Sequence, residues 1–387
     1  MNELRKYTII VGSKNFFGEQ VDLLTRGNEI DISSSFPQMV RCHDEYNRRV
    51  RVKINNQPSD DDYFEQTDLL IIENTDYHSI AETAHDRLPA LIEEITTEDA
   101  QIFIHNPPKT LKEHLQRLVA KNDIELHVRL EEYDIVRCPK KFSQNMSDIS
   151  ERIIGQPNAL NEIAKSMWYL TRIDRKKPFV IMLYGNSSIG KTEMVREVSA
   201  AFFDGKVFEK HLSMFKNNNS GDYLFGRNPN RTSIGFDLLE RQSNLVFLDE
   251  FDKLPDYFHS IFYTLFDNTN FEDATYQVDV SGLLIFLTSN YSNLDEMKRH
   301  LGLPIFYRID KFIHFQDFSA ESIHIITKKE IDKHMVTGEE QLDADVLYER
   351  VCDKIKATDE NARTIKNVIL QEVENMLFEQ FESDVTK

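Results

Sequence analysis

The sequence predicts an α/β protein in which a parallel sheet is covered on both faces, a helical part follows it, and a separate small α/β domain precedes it. Three observations predict this. The apolar run Phe179–Tyr184 passes directly into a glycine-rich loop and then into a helical stretch, Glu193–Phe203, a strand–loop–helix unit. The runs Leu245–Leu248 and Leu283–Thr288 are short and apolar without polar alternation, as strands buried on both faces must be. Residues 317–387 carry helical patterns, and in the last of them Ile365, Ile369, Val373, Met376, Leu377 and Phe381 recur at helical spacing. Asp359 is placed to cap that helix.

At 387 residues the chain exceeds the usual size of one domain. In the first third, strand-like and helix-like stretches alternate: Tyr7–Ser13, Val50–Ile54, Asp68–Glu73, a helix from His78 to Ile95, Gln101–His105, a helix from Leu111 to Ala120, then Ile124–Cys138. This alternation predicts a small α/β domain over 1–145. The polar stretch Pro139–Ser147 reads as a linker, leaving an α/β core over 150–316 and a helical domain over 317–387. Within the core, a helix spans Asn158–Leu170, whose Trp168 is expected to pack it on the sheet.

Sixty-five acidic residues against 46 basic ones give a net charge of -19, which opposes a phosphate-covered nucleic acid as the main partner. Cys42, Cys138 and Cys352 are odd in number and widely spaced, and read as reduced structural thiols. The opening MNELRKYTIIVG is too short in its apolar part for a signal peptide, and no run approaches a membrane span. A soluble, cytoplasmic chain with no membrane partner is expected.

Gly185-Asn186-Ser187-Ser188-Ile189-Gly190-Lys191-Thr192 is a complete G-x-x-x-x-G-K-[ST] sequence between a strand and a helix. Glycines let the backbone wrap phosphates, and the amide N–H groups and helix N-terminus supply positive potential. Lys191 neutralises the outer phosphates, and the Thr192 hydroxyl can ligate magnesium. Further on, Leu245-Val246-Phe247-Leu248-Asp249-Glu250 is an apolar strand ending in two carboxylates. Such an end is by itself more often a solvated edge; downstream of a phosphate loop it reads as Asp249 for magnesium and Glu250 as general base. The expected ligands are ATP and Mg2+.

These pieces, with Ile153-Ile154-Gly155-Gln156, Leu287-Thr288-Ser289-Asn290, Tyr307-Arg308-Ile309-Asp310-Lys311-Phe312 and Asn361-Ala362-Arg363, follow one another in an order that resembles the AAA+ ATPases. Within them the chain is similar to the second ATPase module of the Clp-type unfoldases and disaggregases, over about 150–387. The resemblance implies a three-layer P-loop core with a helical lid. It also implies that Ile153 and Ile154 pack the adenine, that Asn290 orients the attacking water, and that Arg363 ties the lid to nucleotide. Arg308 would be an arginine finger reaching the adjacent subunit of a homo-oligomer, a hexameric ring; its bland alternative is a surface pair with Asp310.

Clp-type motors that thread polypeptide carry an aromatic–glycine pore loop before the acidic strand. Here Leu224–Gly235 is polar where the aromatic should be, and Tyr223 and Phe225 read as packing residues. The N-terminal domain matches no family pattern; Asp68–Asn74 reads as a buried central strand, and of twelve histidines scattered without ligand spacing, His105 after a strand stands out. The expected function is an oligomeric ATPase that remodels a partner protein selected by the N-terminal domain. The alternative is an ATP-gated oligomeric switch that recruits or activates an effector without threading, and a nucleic-acid loader is disfavoured by charge.

Overall fold

The computed structural model describes residues 4–25, 35–52, 64–80, 82–133, 138–216, 219–335, 342–355 and 361–385. The chain divides into two compact units. The first comprises Met1–Asp134 with Phe215–Asn244 and Asn268–Ser281; the second comprises Ile135–Met214, Leu245–Asp267 and Gly282–Lys387. Two segments of the range read from sequence as one core, 215–244 and 268–281, therefore pack with the N-terminal residues.

The N-terminal part runs β1 (Lys6–Val11), α1 (Lys14–Leu24), α2 (Phe36–Val52), β2 (Thr67–Ile72), α3 (Leu88–Ile95), β3 (Thr96–His105), α4 (Lys109–Ala120) and β4 (Glu125–Leu130). The strands form a parallel sheet in the order β2-β3-β1-β4. Successive side chains of β1 point to opposite faces: Tyr7 and Ile9 join one core with Ile102, Ile104 and Leu115, and Ile10 joins another with Phe17, Val21 and Phe103. Both faces are thus covered, as parallel sheets require.

Several local readings are corrected. Val50–Val52, read as a strand, end α2, and residues 53 and 54 lie outside the described residues. The helix read from His78 to Ile95 begins only at Leu88, preceded by 3-10 turns at Asn74–Ser79 and Glu82–Arg87. The strand read to Cys138 ends at Leu130. β2 is an edge strand rather than a central one.

From residue 138 the elements are α5 (Pro139–Arg152), α6 (Pro157–Leu170), β5 (Phe179–Tyr184), α7 (Lys191–Phe202), β6 (Phe208–His211), α8 (Asn219–Phe225), α9 (Ile234–Leu239), β7 (Leu245–Asp249), α10 (His259–Asp267), β8 (Asn270–Glu272), β9 (Gln277–Asp279), β10 (Leu284–Ser289), α11 (Leu294–Phe306), β11 (Lys311–His314), α12 (Ala320–Met335), α13 (Ala344–Lys354) and α14 (Ala362–Val385). Of these, α8, α9 and the antiparallel hairpin β8–β9 belong to the first unit.

The second unit is built on a five-stranded parallel sheet in the order β11-β5-β10-β7-β6. The apolar runs read as central strands are β5, β7 and β10, and β7 and β10 are buried along their whole length. Phe179, Ile181, Leu183, Phe247 and Phe286 share one core with residues of α5, α6, α7 and α12–α14.

The stretch read as a linker is the helix α5. Its proline stands in the first turn, where no intrahelical donor is lost, and Phe142, Met146 and Ile149 fall at i, i+4, i+7 on its packed face. Trp168 packs on Phe142 of that helix, with ring centroids 5.0 Å apart, at the edge of the core that the sheet shares.

In α14, Ile365, Ile369 and Met376 are buried against α12 and α13, and a Lys354–Glu372 ion pair joins α13 to α14. Phe381 is 61% exposed, so the buried face ends before it. Asp359 lies outside the described residues; Asn361 Oδ1 accepts the Arg363 and Thr364 amides at 3.0 and 3.1 Å.

Truncating Ile369 to Ala should therefore cost about 2–5 kcal/mol, whereas Phe381→Ser should change stability by no more than about 0.5 kcal/mol. Chemical denaturation midpoints of the two variants check the pair; equal losses would put Phe381 in the core.

Candidate nucleotide site

In a parallel sheet every strand presents its carboxyl end on the same side, so the segments after β5, β7 and β10 converge. The phosphate loop follows β5. Gly185 has φ 136, and a Cβ there would lie 2.4 Å from Phe315 O, so only glycine fits; Gly190 at φ 100 then leads into α7. Ser188 also adopts positive φ, at 62, and the loop is tied outward. Gln156 Nε2 donates to Ile189 O at 3.1 Å and to Gln316 O at 2.7 Å, Asn186 Nδ2 donates to Asp317 Oδ1 at 2.7 Å, and the Ala362 amide donates to Ser188 O at 3.1 Å. The last of these fastens the first turn of α14 to the loop.

Lys191, the first residue of α7, is 7% exposed. Its Nζ donates to Gly185 O at 2.7 Å, Asn186 O at 2.5 Å and Asn290 Oδ1 at 3.1 Å. Burial pulls its pKa down to about 8, against the opposing pull of Asp252 and Asp249.

Asp249 ends β7 and is 8% exposed. Thr192 Oγ1 lies 3.3 and 3.4 Å from its two oxygens, and His211 Nδ1 lies 3.3 Å from Oδ2. A hydroxyl beside a carboxylate is the hard-oxygen set that magnesium takes, the rest of its shell coming from phosphates and water. Glu250 sits in the left-handed region, φ 56 and ψ 45, a conformation that costs a non-glycine residue on the order of 1–2 kcal/mol. Its amide donates to Thr288 Oγ1 at 2.9 Å, and the same hydroxyl donates to Asp249 Oδ1. Thr288 thus holds the Asp249 carboxylate and the backbone of Glu250. Sequence reading included it in a motif but gave it no role; it stands in β10 two residues before Asn290, which follows that strand.

A cavity of about 460 Å³ brings together Ser187, Ser188, Gly190, Lys191, Thr192, Asp249, Glu250, Asn290 and Arg363, with Lys366 as an additional cation from α14. A second cavity of about 740 Å³ is bordered by Ile153, Gly155, Gln156, Asp317 and Ser322. Ile154, half-buried, is not among its lining residues. Ile189 is buried in the core below the loop.

Arg308 is not brought to either cavity. Gly302, at φ 72, and Pro304 break α11, and Arg308 follows with Nη1 donating to Pro304 O at 2.7 Å, Nε 3.5 Å from Asp267 Oδ2, and its guanidinium 4.9 Å from the centre of the Tyr263 ring. The bland pair with Asp310 does not form, because Asp310 accepts both a bidentate Arg175 contact at 2.7 and 2.9 Å and the Val180 amide at 2.9 Å.

Residues 176–341 match the family model of the AAA domain (Cdc48 subfamily). The chain is 28% identical over 169 residues to the chaperone protein ClpB of Yersinia enterocolitica, covering 41% of this chain and 19% of that one. It is 22% identical over 314 residues to ClpB of Clostridium perfringens, with 73% and 36% covered. To the AAA+ ATPase ClpV1 of Pseudomonas aeruginosa it is 32% identical over 155 residues, with 37% and 17% covered. The chain therefore spans between 17% and 36% of the length of these relatives. A structure of Hsp104 in its closed state with ATPγS and FITC casein matches with a TM-score of 0.52 at 13% identity, covering 98% of this chain and 89% of that one. At that identity the likeness is one of fold.

A bound triphosphate would hold Lys191 protonated, so above pH 8 the protein must take up a proton to bind it. Affinity for ATP should be level below pH 8 and weaken above it by up to about tenfold per pH unit. Titrations between pH 7 and 9 check this; an affinity independent of pH across that range contradicts it.

Proposed function

The chain carries a Clp-type AAA+ ATPase module, and from that premise we propose that it is an oligomeric enzyme that couples Mg-ATP hydrolysis to remodelling of a partner protein selected by its N-terminal domain. The observation that carries this reading is the convergence of Lys191, Thr192, Asp249, Glu250, Asn290 and Arg363 on one cavity.

In this mechanism Lys191 leaves its carbonyl partners for the β- and γ-phosphates, and the loop amides cradle them. Thr192 and Asp249 would hold magnesium, which would offset charge on the phosphate oxygens. Glu250, aimed by its left-handed backbone and the Thr288 bond, takes a proton from the attacking water. Asn290, already in contact with Lys191 Nζ, orients that water beside the γ-phosphate. Arg363 and the Ala362–Ser188 bond relay the state of the phosphates to the helical part. Arg308 of a neighbouring copy reaches the developing charge from outside, in keeping with its distance from its own chain's cavity. Ile153 borders the larger cavity, where adenine would pack, with Ile154 beside it in the sequence.

The surroundings of Tyr223 and Phe225 favour the second reading, an ATP-gated switch that recruits or activates an effector without threading. The aromatics nearest the expected pore loop are engaged in packing. Tyr223 stacks on Phe215 at 5.4 Å and its hydroxyl donates to Asp237 at 2.7 Å, while Arg227 covers Phe225. An ATP-dependent loss of structure in a tagged substrate would decide for remodelling.

Glu250→Gln is expected to bind ATP with little change and to hydrolyse it about 10²–10⁴-fold more slowly; full turnover in that variant would remove Glu250 from the mechanism. Arg308→Ala should be similarly slow alone. Mixing the two inactive variants should restore turnover, because an Arg308→Ala subunit still has Glu250 and can receive the finger from a Glu250→Gln neighbour. Mixtures as inactive as their components would place Arg308 outside the neighbouring site.

A further inference from the structure

The carboxyl ends of β1, β2 and β3 hold a buried polar cluster that the nucleotide site does not use. Asn106, after β3, closes two hydrogen bonds on Gly12, after β1: the Gly12 amide donates to Oδ1 at 3.0 Å, and Nδ2 donates to Gly12 O at 2.8 Å. The orientation of the Asn106 amide is thereby fixed. Into this corner comes Glu240, the residue after α9. Its Oε1 accepts from Asn74 Nδ2 at 2.5 Å and Asn106 Nδ2 at 2.8 Å, and its Oε2 accepts the Lys14 amide at 3.0 Å.

His105, fully buried and stacked on Phe17 at 4.5 Å, places Nε2 3.3 Å from Oε1. Burial pushes this imidazole down to about 4, so it stays neutral at physiological pH. Burial also pushes Glu240 up to about 6, with the Lys14 and Asn106 bonds acting against it. The bonds from Lys14, Asn74 and Asn106 all place donors on the Glu240 oxygens, so a carboxylate suits the corner and an amide does not.

Neighbouring ties hold the same segments. Arg241 Nη1 donates to Leu238 O and Nη2 to Asp279 O, each at 2.9 Å, and Tyr133 Oη lies 2.5 Å from Arg241 O. The Lys109 amide donates to Thr275 O at 3.0 Å and its Nζ to Asp273 O at 3.0 Å. Both anchored segments run on into strands of the nucleotide site. Along the chain Glu240 precedes β7, which begins at Leu245 and ends in Asp249, and the β8–β9 hairpin precedes β10, which leads to Asn290.

We propose that Glu240 is a latch. Seated among Asn74, Asn106 and the Lys14 amide, it ties the lead-in of β7 to the N-terminal sheet and restrains the acidic strand end; released, it lets turnover run faster. A partner presenting a carboxylate to the same donors would compete for the corner and free Glu240. The latch rests on the ATPase reading above, and it gives the N-terminal domain a route to the nucleotide site.

In the full chain, Glu240→Gln sets an NH2 group against one set of donors. It should raise magnesium-dependent turnover at saturating ATP by roughly fivefold or more, and speed amide exchange over 234–249 while leaving β1 and β3 unchanged. Asn74→Ala, which removes one donor from the other side, should act in the same direction. Unchanged or slower turnover in a Glu240→Gln protein whose exchange has accelerated would reduce the contact to packing and overturn the latch. Exchange that does not accelerate would overturn it irrespective of turnover. A wild-type chain without ATP hydrolysis would instead sink the ATPase reading, and the exchange comparison would still decide the tie.

Discussion

Thr288 donates its hydroxyl proton to Asp249 and accepts the amide of Glu250, and the geometry of the site depends on that one side chain. It stands on β10, between β5 with its phosphate loop and β7 with its acidic end. Because β10 and β7 are parallel and adjacent, a single hydroxyl on β10 can hold the acidic end of its neighbour, which is far from it in sequence. The left-handed backbone of Glu250, unfavourable for a residue with a Cβ, is held by that bond and by the following turn, in which the Lys253 amide donates to Glu250 O at 2.9 Å. Pre-organisation of this kind is what allows a carboxylate to act as a base without a reorganisation cost at the moment of reaction.

The helical part is coupled to the same point by a different device. Its contact with the phosphate loop is a backbone bond, Ala362 to Ser188, so it does not depend on side-chain rotamers. Arg363 and Lys366 are carried into the cavity by the helix that makes it. That bond joins the phosphate loop to the start of α14, whose buried face is closely packed against α12 and α13.

In the first unit the corresponding organising feature is a set of donors at the carboxyl ends of parallel strands, the position where open α/β sheets bind ligands. Here that position is filled from within the unit, by Glu240. A half-buried carboxylate facing neutral donors is held without a full counter-charge, which suits a contact that forms and breaks better than one that only adds stability.

Much of the site was legible because its parts are local. A glycine-rich loop between a strand and a helix, and two carboxylates ending an apolar run, are contiguous patterns, and their chemistry follows from backbone geometry and charge within a few residues. The same holds for β5, β7 and β10, whose unbroken apolar runs allow only strands covered on both faces. The misread elements are those whose local signals conflicted: α5 is mostly polar, yet Phe142, Met146 and Ile149 keep the helical period, and β2 is apolar enough for a central strand yet ends at an edge. The role of Thr288, the placement of Arg308 away from its own cavity, and the packing of 215–244 and 268–281 with the N-terminal residues were decided by the tertiary structure alone. Each depends on contacts between residues tens to hundreds of positions apart, and no periodicity or spacing along a chain encodes which distant surfaces will meet.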